Sequence, residues 1–252
     1  MSGTRVAAMS FGLSRGRSLD VAPGVVMVSE EELGPLPDDI VTNPEAGYVD
    51  PRAWFVTRAQ NPDRRFEIEI GSGKGTFLVQ QAPMTPDTDY LGIEWAGEFC
   101  NYAADRVRRA QIPNIRLMRT DATELLRWRV QSAIVDVIHL YFSDPWPKSR
   151  HQKKRVIQDR FLADAWRVLK PGGELRVVTD HDDLWAWDRA HFDRWCGAGP
   201  CPHHDGPIPA FTEKPFAKPD SAGEGELVGT NFERKFRQEG RNFHATVLVK
   251  PS

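Results

Sequence analysis

Short apolar segments alternate with longer segments of helical character from Phe66 onward. In chain order the apolar segments read FEIEI, YLGIE, IRLMR, IVDVIHLYF and ELRVVTD. Each has the length of a buried strand, and strands that alternate with helices build a parallel sheet. The pattern therefore predicts an α/β fold with a mostly parallel central sheet and helices on both faces.

The clearest helical pattern covers residues 152–170. Apolar residues recur there at every fourth position from Ile157 to Leu169, and the Pro-Gly-Gly of residues 171–173 follows. This spacing predicts an amphipathic helix that ends before the proline and packs its apolar stripe on the sheet.

Two segments lack such a pattern. Residues 1–48 are rich in Gly, Pro, Ser and acids, and we predict an extension whose basic first 17 residues form a disordered arm. Residues 197–225 carry six prolines, which predicts a long loop that is functional or mobile. We expect residues 49–252 to form one domain.

Composition narrows the class of protein and its compartment. The chain has 252 residues, 40% of them hydrophobic and 27% charged, which suffices to bury a core. No apolar run approaches the roughly 18 residues that span a bilayer, so we expect no membrane association. Three cysteines are too few for a disulfide framework in a chain this long, and we expect a cytoplasmic protein.

An acidic residue ends or follows each of the five predicted strands. In chain order these residues are Glu69, Glu94, Asp121, Asp144 and Asp180. The carboxyl ends of parallel strands meet at one edge of the sheet, where open α/β sheets bind ligands. Aspartates in such places can be simple helix N-caps, but glutamate is a poor N-cap. Glu69 and Glu94 therefore favour a ligand role.

A glycine-rich turn follows the first predicted strand and points to the kind of ligand. Gly71 and Gly73 allow close approach of a cofactor to the backbone, and the G-x-G-x-G spacing differs from the G-x-G-x-x-G of dinucleotide binders. Glu94 can accept both ribose hydroxyls of an adenosine cofactor. Because the nearby carboxylates would repel a pyrophosphate and attract a sulfonium, S-adenosylmethionine is the favoured cofactor.

The stretch from residue 141 to residue 155 reads YFSDPWPKSRHQKKR. Two prolines restrict the backbone around Trp146, and five cations follow: Lys148, Arg150, Lys153, Lys154 and Arg155. Cations are unfavourable at the N-terminus of the predicted helix, so an anionic partner is expected. The spaced phosphates of nucleic acid fit better than one metabolite phosphate; a solvated basic face is the alternative.

Together these segments resemble the TrmB family of tRNA (guanine-N7)-methyltransferases. The resemblance covers roughly Phe66 to Lys250 and rests on EIGSGKG, YLGIE, RTDA, DPWPKSRHQKKR, LKPGG and TNFERKF, in that order. It implies a Rossmann-like S-adenosylmethionine-dependent methyltransferase fold. It also implies methyl transfer to N7 of a guanosine in the tRNA variable loop.

The resemblance also implies roles for single residues. Cofactor binding or action at the methyl-transfer centre is implied for Glu69, Glu94, Asp121 and Asp144, and guanosine binding for Lys148, Asp180, Thr230, Asn231, Phe232 and Glu233. Guanine N7 has a lone pair and no proton to lose, so alignment and electrostatics should supply most of the rate. Asp144, as the catalytic residue, would either stabilise the cationic product ring or accept hydrogen bonds from the guanine edge. Ser143 stands where the family usually has proline, which predicts a looser turn.

Two other functions share parts of the pattern. A nicotinamide-dependent oxidoreductase has a similar fold but should show the longer glycine spacing and fewer acids, whereas a non-catalytic RNA-binding subunit would keep the cations and lose the acids. Cys196, Cys201, His203 and His204 are close in sequence, but adjacent histidines ligate one ion awkwardly, so we expect no metal. A monomer and a homodimer both remain open.

Overall fold

The structure is a computed structural model that describes residues 26–252. Within this part an eight-stranded sheet has the spatial order β1-β4-β3-β2-β5-β6-β8-β7. The strands are β1 (Met27–Val28), β2 (Arg65–Ile70), β3 (Thr88–Ile93), β4 (Ile115–Met118), β5 (Val135–Tyr141), β6 (Leu169–Thr179), β7 (Thr212–Lys214) and β8 (His244–Val249). Strands β1 to β6 are parallel, and β8 and β7 join antiparallel. The predicted mostly parallel sheet is confirmed.

Helices cover both faces of this sheet. The described residues form α1 (Thr76–Gln81), α2 (Gly97–Arg109), α3 (Ala122–Trp128), α4 (Asp159–Val168), α5 (Asp182–Trp195) and α6 (Asn231–Gln238). Helices α1 and α2 share one apolar core with Tyr90 of β3, whereas α3, α4 and α5 share a second core with Leu91. Successive strand residues point to opposite faces, so the two cores lie on opposite sides.

The strand order reverses between β2 and β5. Strands β2, β3 and β4 lie side by side in one direction, and β5 then pairs with the other edge of β2, with Ile68 opposite Ile138. A reversal of this kind opens a crevice outside the carboxyl ends of the two strands, where open α/β sheets bind ligands. Glu69 in β2 and Asp144 just after β5 therefore lie beside the crevice.

The helix predicted over residues 152–170 is wrong in its first part. Ser149–Lys154 form a 3-10 helix, Arg155 is extended, and α4 begins only after this break. The side-chain amide of Gln158 donates to the carbonyl oxygens of Lys153 and Arg155 at 2.8 Å each, which stabilises the break. The cations therefore do not lie at an α-helix N-terminus, and the expectation of an anion based on the helix dipole no longer applies.

Two segments that lack a clear pattern contribute to the sheet. Met27 and Val28 form β1 and pair with the end of β4, whereas the predicted basic arm lies outside the described residues. The segment 197–225, predicted as a loop, contains the edge strand β7 and buries Phe211 completely. Between residues 26 and 252 no helix is both long and apolar enough to cross a membrane.

Candidate active site

A cavity of about 1060 Å³ opens at the carboxyl ends of the central strands. The predicted cofactor residues Glu69, Gly71, Gly73, Glu94, Asp121 and Asp144 all line it. Thr230, Asn231 and Phe232, at the start of α6, line it as well. The reversal of strand order thus brings together residues that are far apart in sequence.

The glycine-rich turn leaves its backbone open to the cavity. Gly71 and Gly73 have φ angles of +73° and +53°, a left-handed conformation that costs other residues roughly 1 to 2 kcal/mol. A Cβ atom at Gly71 would meet nothing within 4 Å. The amides of Gly71 and Ser72 donate to the carbonyl oxygen of Ile93 at 2.8 and 3.0 Å, which fixes the turn against β3. A ligand can therefore approach this backbone closely.

Glu69 is a buried carboxyl group beside the cavity. Its Oε2 atom has no hydrogen-bond partner among the described residues, and the hydroxyl of Ser72 is buried in the same condition. Burial, and secondarily the charge of Glu94, raise the pKa of Glu69 well above its ordinary value. Because an unpaired buried acceptor is costly, these two atoms suit a ligand that carries hydrogen-bond donors or positive charge.

Glu94 is held in place by backbone amides. Its two carboxylate oxygens accept from Gly73 at 2.8 Å and from Ala96 at 2.7 Å. Burial raises the pKa of Glu94; the two amides oppose this rise, and the charge of Asp144 adds to it. The charge of Glu94 thus acts on Glu69, and the charge of Asp144 acts on Glu94, so the three carboxyl groups interact electrostatically.

Asp121 and Asp144 occupy different environments. Asp121 is the N-cap of α3, and its Oδ1 atom accepts from the amides of Thr123 at 2.8 Å and Glu124 at 3.3 Å. Asp121 therefore caps the helix and also lines the cavity. Asp144 is exposed at the cavity. Trp146, two residues further on, has a φ of +41°, so the turn around Asp144 includes a left-handed non-glycine residue.

Four of the five cations behind this turn are exposed. Lys148, Arg150, Lys153 and Lys154 all face solvent. Lys153 and Lys154 reach the cavity wall, and the Nζ atom of Lys154 lies 4.7 Å from the ring centroid of Trp146. The cavity wall therefore carries cations as well as the strand-end acids, and the exposed cations continue from it.

The fifth cation, Arg155, differs from the other four in its burial and its partners, although it also lines the cavity. Its side chain is only 1% exposed; it donates to the Asp183 carboxylate and, at 2.9 Å, to the carbonyl oxygen of Pro145. These contacts favour an internal role for Arg155, and its contact with phosphate stays a prediction.

Four predicted substrate residues do not line the cavity: Lys148, Arg150, Asp180 and Glu233. Glu233 is fully buried, accepts from the amides of Val228 and Gly229 at 2.9 Å each, and so holds the segment before α6. The Asp180 carboxylate pairs with Arg241 at 2.6 Å. Backbone amides already use the acceptor atoms of Glu233, which favours a supporting role, and its contact with the substrate stays a prediction.

Sequence reasoning missed Trp95, whose side chain lines the cavity and is 73% exposed. A tryptophan directly after the strand-end acid Glu94 was the signal that could have identified it, since an exposed tryptophan is uncommon without a partner.

A buried hydrogen-bonded chain beneath the cavity was also missed. The hydroxyl group of Tyr141, a cavity residue, is hydrogen-bonded to His139 at 2.7 Å, and the other ring nitrogen of His139 is bonded to Glu67 at 2.8 Å. Burial raises the pKa of Tyr141 well above its ordinary value. Alternating polar residues in two neighbouring strands were the available signal.

In the segment of residues 196–204, which contains the cysteines and histidines, Cys201 and His204 pack within the fold. His204 lies against the rings of Trp166 and Trp195, with centroid distances of 4.6 and 5.3 Å. Cys201 is buried. Residues 26–252 contain no group of three or more His, Cys, Asp or Glu side chains arranged to hold a metal ion.

Comparison with known proteins agrees with this geometry. A family model described as "Putative methyltransferase" matches residues 63–199. Curated tRNA (guanine-N(7)-)-methyltransferases from Streptococcus pyogenes serotypes M5 and M49 are each 35% identical over 167 residues, which is 66% of this chain and 76% of theirs. The crystal structure of the aminoglycoside resistance methyltransferase NpmB1 is similar in fold, with a TM-score of 0.50, 18% identity, and coverage of 80% of this chain and 94% of that one.

The parallel sheet and the acid-lined cavity at its switch point define a Rossmann-like S-adenosylmethionine-dependent methyltransferase. Within that class, the chain belongs to the TrmB family of tRNA (guanine-N7)-methyltransferases.

Proposed function

We propose that this protein transfers the methyl group of S-adenosylmethionine to N7 of a guanosine in the variable loop of tRNA, at position 46. The observation that carries the proposal is that the strand-end acids of the cavity adjoin cations, which lie in the cavity wall and continue onto the exposed surface. Acids suit a sulfonium cofactor and cations suit RNA phosphates, so one surface can present both reactants to each other. The reaction named for the curated relatives agrees with this arrangement.

The cofactor fits the residues that line the cavity. Glu94 would accept the ribose hydroxyls, and the open backbone at Gly71 and Gly73 would adjoin the amino-acid portion. Glu69 would bind the ammonium group, which would give its unpartnered oxygen a donor. Trp95 and Asp121 would flank the adenine.

Bound S-adenosylmethionine supplies an electrophilic methyl group, which passes to the N7 lone pair as the carbon–sulfur bond breaks and S-adenosylhomocysteine is released. No proton leaves guanine N7, so the protein needs no general base. Its tasks are to align N7 with the methyl carbon and to stabilise the positive charge that the guanine ring acquires. Asp144, exposed beside the cavity, carries the charge suited to that second task.

RNA would dock on the exposed cations. Lys148, Arg150, Lys153 and Lys154 lie on one continuous segment after the catalytic turn, where they can meet successive backbone phosphates. Asn231 and Phe232 would contact the target nucleoside from the opposite wall, and Thr230 and Glu233 would support them. Asp180 would act through its ion pair with Arg241, in the segment that follows α6.

The proposal includes the setting of the reaction. Residues 49–252 would form the catalytic domain, and residues 1–48 an extension whose described part adds strand β1 to the sheet. On its cysteine content, the protein would act in the cytoplasm.

Nucleoside analysis tests the proposed reaction. The purified protein is incubated with S-adenosylmethionine carrying a labelled methyl group and with tRNA transcribed without modifications. We expect label in 7-methylguanosine after complete digestion, and none when the cofactor is omitted. Label in any other nucleoside, or in none, would refute the proposal.

A further inference from the structure

Arg155 joins the catalytic turn to helix α5. Its Nε atom donates to the carbonyl oxygen of Pro145 at 2.9 Å, and the other side of its guanidinium group donates to the carboxylate of Asp183 in α5. The guanidinium carbon lies 5.2 Å from the ring centroid of Trp187, whose indole nitrogen donates to the carbonyl oxygen of Ile157 at 2.7 Å. One side chain thus connects three segments at the cavity wall, to which Arg155 itself contributes.

The burial of the Arg155 guanidinium group makes its hydrogen bonds to Pro145 and Asp183 costly to break. A guanidinium group with 1% exposure must satisfy its donors within the protein, because unpaired buried charge is strongly destabilising. Asp188 lies in the same region: it is 1% exposed, its Oδ1 atom has no hydrogen-bond partner among the described residues, and the charge of Arg155 opposes the rise in its pKa to about 7. Arg155 is therefore surrounded by groups that fix its position.

The turn that Arg155 holds carries backbone strain. Trp146 has a left-handed φ of +41°, which costs a non-glycine residue about 1 to 2 kcal/mol. Such a conformation persists only where the surroundings impose it. The carbonyl group that Arg155 binds belongs to Pro145, which stands between Asp144 and Trp146.

We infer that Arg155 is a positioning residue, a buried clamp that holds the turn of residues 144–147 against α5 and thereby sets the position of Asp144. This inference rests on the proposed methyl transfer, and it assigns to an almost fully buried residue of the cavity wall a role that acts through the turn. It also divides the basic segment into exposed cations that meet RNA and one buried cation that fixes the turn.

The Arg155→Lys variant tests the clamp. Lysine keeps the positive charge but lacks the planar fork that serves Pro145 and Asp183 together. We expect the single-turnover rate of methyl transfer, with RNA and cofactor saturating, to fall about 10- to 100-fold, since a displacement near 1 Å has that effect. The dissociation constant for S-adenosylhomocysteine should change by less than about twofold, because the substitution leaves the cofactor residues unchanged.

Arg116→Lys is the matched control. Arg116 is also buried, donates to the carbonyl oxygen of Trp54 at 2.9 Å and lies 5.3 Å from an aromatic ring centroid, that of Phe55. It lies near the start of β4, at the edge of the sheet opposite the cavity. Both variants should have lower melting temperatures, but only Arg155→Lys should slow single-turnover transfer when both are assayed well below melting.

Two further measurements separate this inference from the proposed function. Hydrogen exchange of the peptide that contains residues 142–147 needs no activity, and it should become faster in Arg155→Lys but not in Arg116→Lys. In Arg155→Ala, added guanidinium ion should restore part of the lost rate, whereas sodium at equal ionic strength should not. If the alanine variant does not fold, the lysine variant and its exchange data decide the question.

Three results would overturn the clamp. They are an unchanged single-turnover rate in a destabilised Arg155→Lys variant, unchanged exchange in the turn, or a rate loss matched by an equal loss of cofactor affinity. If the wild-type protein methylates no tRNA, the proposed function fails, and the exchange measurement still tests the clamp.

Discussion

At the scale of single residues, burial separates the acids of the cavity into two kinds. Glu69 is buried with an unpartnered oxygen, and its pKa is raised well above the ordinary value. Asp144 is exposed and keeps access to water and ligand. The environment can thus assign the two carboxyl groups different tasks, because burial favours the neutral form of Glu69.

Glu69 should link cofactor binding to proton release. The raised pKa keeps Glu69 protonated in the free protein at pH values where an ordinary glutamate is ionised, and a bound ammonium group favours the ionised form. Cofactor affinity should therefore rise with pH through this window and level off above the raised pKa of Glu69. Calorimetry with S-adenosylmethionine in buffers of different ionisation enthalpy counts the protons. Glu69→Gln should abolish most of the release, and an equal release in both proteins would contradict the assignment.

Asp144→Asn tests charge stabilisation at the methyl-transfer centre. Asparagine keeps the size and most of the hydrogen-bonding capacity of aspartate but removes the charge. We expect single-turnover methylation to fall about 100-fold, as for loss of one preorganised electrostatic group, with little change in cofactor affinity. A near-normal rate would mean that Asp144 does not stabilise charge. A proportional loss of cofactor affinity would mean that Asp144 contributes to cofactor binding instead.

At the scale of elements, the segment Ser149–Lys154 and the break after it determine which cations are exposed. The 3-10 helix exposes Lys153 and Lys154, whereas the extended Arg155 turns inward. In a continuous α-helix, Lys153, Lys154 and Arg155 would follow one another at about 100° around the helix axis, and Arg155 would not be buried. Because of the break that Gln158 stabilises, one segment can present exposed cations for the proposed RNA docking and a buried cation for the proposed positioning of the turn.

The double variant Lys153→Gln, Lys154→Gln tests docking. Each phosphate contact contributes roughly 0.7 to 0.9 to the slope of log K against log salt, so loss of two contacts should flatten the slope for tRNA by about 1.4 to 1.8. Cofactor affinity should not change. Arg65→Gln combined with Lys214→Gln removes the same charge from the start of β2 and from the edge strand β7, and it should leave the slope as it is. An equal slope in all three proteins would mean that the segment is only a solvated surface.

The sequence predicted elements well where the pattern was repeated and poorly where single contacts decide. The five central strands followed from apolar periodicity because both faces of a covered parallel sheet are buried. The helix boundary near Gln158 did not, because a side-chain hydrogen bond breaks a pattern whose apolar spacing continues through it. Strand β8 was not predicted although its last four residues are buried, because an antiparallel strand does not fit the alternation of strands and helices in a parallel sheet.

Site residues were predictable where strand ends meet and less so elsewhere. Glu69 and Glu94 follow from position alone, because the carboxyl ends of parallel strands share an edge. The burial of Arg155 and Glu233 depends on contacts with α5 and with the segment before α6, which no local pattern reports. A motif identifies residues that matter, whereas the fold decides whether they touch the ligand.

At the scale of the whole molecule, the reversal of strand order between β2 and β5 creates the site. It places the acids at the centre of the sheet edge, and the DPWP turn and its cations follow β5 directly. The start of helix α6 lines the same cavity, and Phe236 of α6 packs against Phe142, just after β5, with a ring-centroid distance of 6.3 Å. N7 of a single tRNA guanosine is the atom that we propose receives the methyl group.

The most direct test replaces that atom. A tRNA with 7-deazaguanosine at position 46 has a carbon in place of N7 and is otherwise nearly isosteric with the normal substrate. We predict that the protein binds this tRNA with unchanged affinity and salt dependence, and transfers no labelled methyl group from S-adenosylmethionine to it, while the guanosine form is methylated once per molecule. Equal methyl incorporation into the two tRNAs would contradict the account.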